Sequence, residues 1–106
     1  MEEYIVVLIT ASSEDEAAKI ARELVGMRLA ACVNIISNLR SIYRWQGKIE
    51  EGNEVLMLAK TRRGLFSELV EKVKELHSYS VPEVIALPII SGSEDYLQWL
   101  TRETGE

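Results

Sequence analysis

A single α+β domain with the element order β-α-β-β-α-β and a helix at its end is what this sequence predicts, from three observations. Its 106 residues suit one domain with one core. Its apolar residues follow two rhythms, the extended pattern of strands and the three- and four-residue spacing of helices, and the rhythm changes at caps and turns. Its composition, 47% apolar and 27% charged, is that of a globular chain and excludes a disordered, collagen-like or disulfide-stapled one.

Tyr4 to Thr10 is β-branched and apolar at nearly every position, the pattern of a central strand covered on both faces. Ser13-Glu14-Asp15-Glu16 then fits the S-x-x-E capping box, and its acidic residues suit the positive end of a helix dipole. Ala17, Ile20, Ala21, Leu24 and Met27 give that helix one buried stripe, and Gly26 either ends it or weakens it by about 1 kcal/mol.

From Ala30 to Lys60 the periodicity becomes extended. Ala31, Val33 and Ile35 lie on one face, and Ser41, Tyr43 and Trp45 share a face further on. Gln46-Gly47 supplies the reversal of a long hairpin, and Glu51-Gly52-Asn53 reads as a bulge or second bend before Glu54 to Lys60. A second helix follows, capped by Thr61, with Phe66, Leu69, Val70, Val73 and Leu76 buried, Glu68 and Lys72 paired on its surface, and its end near His77. Val81-Pro82 forces extended geometry. Glu83 to Ile90 is the fourth strand, and Pro88, which cannot donate to a ladder, marks it as an edge. Gly92-Ser93 opens a short last helix with Tyr96, Leu97 and Leu100.

This order matches the split βαβ, ferredoxin-like arrangement, four antiparallel strands backed by two helices. One face of an apolar sheet is left without helices, and self-association would cover it.

Charge and hydropathy narrow the function. Twelve Lys and Arg against 17 Asp and Glu give a net charge of −5, which repels a phosphate backbone, so nucleic acid is a poor partner. Tyr43 and Trp45 could stack bases on an open sheet, but the aromatic motif of RNA-recognition modules is missing. Apolar runs such as Ile5 to Ile9 fall far short of the roughly 20 residues of a membrane span, and the acidic Met1-Glu2-Glu3 is unlike a signal peptide. A cytoplasmic protein is expected, and the single Cys32 fits a reducing compartment.

Among chemistry-bearing residues, Cys32, His77 and Glu83 are the candidate metal ligands, though no two have ligand spacing. Each also has an ordinary reading: a buried thiol, a helix C-terminal histidine and a solvated carboxylate. No G-x-S-x-G, no second histidine and no glycine-rich phosphate cradle is present, so no catalytic residue is assigned. Arg40, Arg44 and Lys48, with Lys60, Arg62 and Arg63, form a basic set that reads as a solvated face or, alternatively, as an anion site.

The stretches Ala31-Cys32-Val33-Asn34, Ser41-Ile42-Tyr43-Arg44-Trp45-Gln46-Gly47-Lys48-Ile49-Glu50 and Val81-Pro82-Glu83-Val84-Ile85-Ala86-Leu87-Pro88-Ile89 resemble the CutA divalent-ion tolerance family. The resemblance runs from Tyr4 to about Leu100. It implies a ferredoxin-like protomer in a compact, PII-like homotrimer whose hairpins pair across subunits, and a non-enzymatic role in tolerance to copper and other divalent cations. Ile9 and Leu76 stand where some members have a cysteine and an extra histidine, and the family run H-P-Y-E-V-P-E reads His77-Ser78-Tyr79-Ser80-Val81-Pro82-Glu83.

On this basis an intersubunit pocket lined by Tyr43, Trp45, Lys60, His77, Tyr79 and Glu83 is expected. His77 would be its strong ligand, Glu83 an oxygen ligand or imidazole partner, and Cys32 the weaker candidate. Copper heads the divalent ions for an imidazole site. The alternative is a PII-like sensor or scaffold that binds a small anion or a protein partner through Lys60, Arg44 and Arg62.

Overall fold

The computed structural model describes residues 3–105. Its order is β1 (Tyr4–Ala11), α1 (Glu14–Gly26), β2 (Cys32–Trp45), β3 (Lys48–Arg62), α2 (Phe66–Leu76), β4 (Val84–Ile89) and α3 (Glu94–Glu103). The strands form one antiparallel sheet in the order β2-β3-β1-β4, as the split βαβ arrangement requires. β1 is interior, and β4, with Pro88 opposite Ile5, is an edge.

Ser13 caps α1 as expected, accepting a hydrogen bond from the Glu16 N–H at 3.1 Å. The Glu16 carboxylate reaches back one residue further than a capping box does, to the N–H of Ser12 at 2.9 Å. Ala17, Ile20, Ala21 and Leu24 are buried, whereas Met27 lies beyond the helix end and is 51% exposed. Gly26 is the last helical residue. The left-handed position of the terminating turn falls on Arg28 (φ 61°), where the N–H of Leu29 returns to Leu24 O and that of Arg28 to Val25 O, a Schellman closure.

Gln46 and Gly47 (φ 51° and 81°) close the hairpin as the mirror-image turn that suits strand twist. The bulge expected at Glu51-Gly52-Asn53 is on the other arm. Those three residues pair regularly with Arg40, Ser41 and Ile42, and the register shifts between Ile36 and Leu39. Asn38 takes the left-handed conformation there (φ 64°), which asparagine tolerates better than most residues.

Thr61 does not cap α2. β3 continues through it, and its buried hydroxyl donates to Leu29 O at 2.7 Å. A 3-10 turn at Arg63–Leu65 leads into α2, and no side chain caps the helix. Lys72 bonds Glu75 at 3.1 Å instead of pairing with Glu68.

α1 and α2 cover one sheet face, where Ile5, Val7, Ile9, Met57 and Ala59 pack against Ile20, Leu24, Leu69 and Val73. α3 crosses an end of the opposite face. Tyr4 and Arg62, a cross-strand pair on that face, bond Thr101 and Thr104 of α3 at 2.6 and 2.8 Å, and Leu100 is fully buried. The rest of that face is open: Val6, Leu8, Leu56 and Leu58 are half-buried, while Ile36, Ile85 and Leu87 are 48–50% exposed. β1 is therefore covered on one face only within a protomer, where its sequence predicts two.

β1 ends opposite Val55, so the hairpin arms run on past the sheet and lengthen the molecule to 44 Å. Ile42, Tyr43, Trp45 and Ile49 project from this arm, Ile49 with 71% of its surface exposed.

Candidate functional site

The segment from His77 to Glu83 joins α2 to β4 around the end of β1. His77 leaves the helix in extended geometry (φ −79°, ψ 145°), which turns its ring inward, and its side chain is 0% exposed. Nε2 lies 2.7 Å from the carbonyl oxygen of Thr10, and Nδ1 accepts the N–H of Tyr79 at 3.0 Å. A carbonyl only accepts and a backbone N–H only donates, so the proton is on Nε2 and the ring is the neutral tautomer. The Tyr79 ring lies tilted against it at 4.6 Å.

Glu16 holds the same segment from α1. Oε2 accepts the Ser78 N–H at 2.7 Å, and Oε1 accepts the Ser12 N–H and hydroxyl at 2.9 and 2.8 Å. Burial pushes this carboxyl up, but the hydrogen bonds from Ser12 and Ser78 outweigh it and bring it down to about 2.

Tyr79 reaches across to β3 and donates its hydroxyl to Glu54 Oε2 at 2.8 Å. Burial first, then the Glu54 carboxylate, pushes that hydroxyl well above the ordinary tyrosine range and keeps it a donor. Between segment and hairpin arm lies a groove of about 710 Å³, walled by Tyr43, Trp45 and Arg40 of β2, Glu54 of β3, and Tyr79 and Glu83. A shallower hollow of about 610 Å³ over α2 is lined by interspersed lysines and glutamates whose charges largely offset one another.

The fold thus brings Tyr43, Trp45, Tyr79 and Glu83 together and sets His77 behind them. Within one protomer it does not bring in Lys60 or Cys32. These two are paired opposite each other in the row of Val6, four residues along β1 from Thr10, or about 13 Å at strand spacing. Cys32 instead lies beside Tyr96, whose hydroxyl is pushed up by burial and then by the thiol. Among the described residues, no group of three or more His, Cys, Asp or Glu side chains converges so as to hold a metal ion. The basic set is dispersed too. Arg44 is near the hairpin tip, Lys60 lies roughly 35 Å away along β3, and Arg62 bonds Thr104.

Two residues escaped the sequence reading. Glu54 carried one signal, a carboxylate in step with the half-buried Leu56 and Leu58 of its strand. Glu16 was legible as a cap residue, but nothing local announced its second bond to Ser78.

Among the described residues, no helix is long and apolar enough to cross a membrane. The fold is a ferredoxin-like α+β sandwich with an extended hairpin. The family model described as "CutA1 divalent ion tolerance protein" matches residues 5–103. The divalent-cation tolerance protein CutA of Thermus thermophilus is 56% identical over 100 residues, covering 94% of this chain and 97% of that protein. Its solved structure superposes with a TM-score of 0.93 over 99% of this chain and 100% of that one. The crystal structure of CutA1 from Oryza sativa, 43% identical, gives 0.95 over 98% of this chain and 95% of that one. The chloroplastic CutA of Arabidopsis thaliana is 46% identical over 94% of this chain, which spans 55% of its length. The chain belongs to the CutA1 divalent ion tolerance family.

Proposed function

We propose that the protein is a cytoplasmic homotrimer that binds divalent cations, copper first, and confers tolerance to them without catalysing a reaction. The match of residues 5–103 to a family described by ion tolerance carries this reading. The open apolar sheet face, with Ile36, Ile85 and Leu87, and the projecting Ile49 support the trimer, since such surfaces are costly to leave in water.

The binding site in this reading is the groove on the hairpin arm. Glu83, exposed at its rim, and Glu54 supply oxygen donors, and Tyr43, Trp45 and Tyr79 wall it. His77 is the nitrogen donor. A metal takes Nδ1 only by displacing the Tyr79 N–H, and copper, which forms the strongest imidazole complexes in the divalent series, best offsets that loss. In the same protomer Cys32 and Lys60 lie on the open sheet face, outside this groove.

Light scattering should return three times the 12.0 kDa protomer mass. Calorimetric titration should show copper uptake at micromolar concentrations, weakened by Glu83→Ala and His77→Ala. A protomer mass overturns the trimer. Absence of uptake, or a His77→Ala variant that binds as well as the parent, overturns the metal assignment.

A further inference from the structure

We propose that the groove between the hairpin arm and the His77–Glu83 segment binds an organic cation, a quaternary or alkylated ammonium group on a small apolar body. This goes beyond the metal reading and does not depend on it. The groove's volume, about 710 Å³, falls within the range of small-molecule sites.

Its lining combines two features. The aromatic rings of Tyr43, Trp45 and Tyr79, from two separate elements, border one space, and ring faces attract cations that have shed part of their water. The carboxylates of Glu54 and Glu83 border the same space. Arg40, the groove's own cation, is engaged by Glu51 across the hairpin, so the remaining charge of the lining is negative. An inorganic anion is disfavoured by that balance. A hard dication, which needs six or more oxygens, finds only two carboxylates among the lining side chains. A soft, weakly hydrated monocation uses rings and carboxylates together.

The site is also built in advance. Tyr79 is fixed at both ends, its N–H on His77 and its hydroxyl on Glu54, and the His77 ring lies against its own. A ligand therefore spends little binding free energy on ordering that wall.

The test uses choline and its neutral carbon isostere, 3,3-dimethylbutan-1-ol, titrated into the intact protein by calorimetry. Choline should bind in the millimolar range or tighter, and at least about fivefold more tightly than the isostere, because only the charged head gains from rings and carboxylates. Glu83→Gln, at an exposed rim position, should weaken choline several-fold and leave the melting temperature and the isostere unchanged. Equal binding of choline and isostere overturns the proposal, as does the absence of choline binding. Indifference to Glu83→Gln overturns the placement in this groove. A failed copper titration alongside choline binding removes the metal reading alone.

Discussion

The Nε2–H of His77 donates to the carbonyl oxygen of Thr10 at 2.7 Å and so ties the end of α2 to the end of β1, 67 residues away in sequence. The other ring nitrogen holds the Tyr79 N–H. A solvated surface role would leave this side chain exposed, yet it is fully buried.

Replacing His77 by Ala removes both hydrogen bonds and leaves a void behind the groove. We expect a loss of about 2–4 kcal/mol, with His77→Gln, which keeps a donor and an acceptor, losing less. Urea unfolding at neutral pH measures both, and a His77→Ala cost under about 0.5 kcal/mol would show that the network does not hold the segment.

The Glu16 carboxyl titrates at about 2 in the folded chain against 4.5 ordinarily, so between these values the unfolded chain binds more protons. Its contribution to stability is full above pH 5 and drains away as the pH falls toward 2. Glu16→Gln should therefore cost on the order of 1–3 kcal/mol at pH 7 and almost nothing near pH 2. Urea midpoints of parent and variant across that range check it. A pH-independent gap would mean that the side chain acts through packing alone.

Arg28 is held in left-handed geometry, and its guanidinium bonds Gly105 O at 2.8 Å and Arg102 O, fastening α3 to the end of α1. Arg28→Ala loses these bonds and keeps the backbone strain, while Arg28→Gly loses the bonds and relieves it. Ala should thus be less stable than Gly by about 1 kcal/mol, the reverse of their order in a helix interior. Equal melting temperatures for the two would place no cost on the left-handed turn.

The elements of this fold were legible because their signals are local: Ser13 and Ser93 each cap a helix through the side chain, and β1 and β4 carry strand patterns wherever they are read. The errors came where long-range contacts decide. Thr61 is a good cap residue in sequence but is claimed by Leu29 O, and Gly52 is a good bulge residue whose place Asn38 takes. At the candidate site, Tyr43, Trp45, Tyr79 and Glu83 were found together. The burial of His77 follows from the docking of the segment after α2 on the end of β1, and the part of Glu54 and the distance of Lys60 and Cys32 from the groove within one protomer follow from strand register; no local pattern contains either.

The proposed trimer has to close the sheet face that α3 leaves open, and Leu87 tests it. Leu87 is the register partner of Val6 on edge strand β4 and is 50% exposed. In a lone protomer a glutamate there keeps its carboxylate in water, and surface changes of this kind stay within about 0.5 kcal/mol. In an assembly that buries the face, the same carboxylate must lose its hydration without a partner, which costs several kcal/mol at each interface and recurs by symmetry in every subunit. Leu87→Glu should therefore dissociate the assembly to its 12.0 kDa protomer, lower the melting temperature, and abolish the rise of that temperature with protein concentration that the parent assembly shows. Sedimentation equilibrium on parent and variant decides: a variant that keeps the parent's mass and melting temperature would show that the interface lies elsewhere, and would leave Ile36, Ile85 and Leu87 as an open surface.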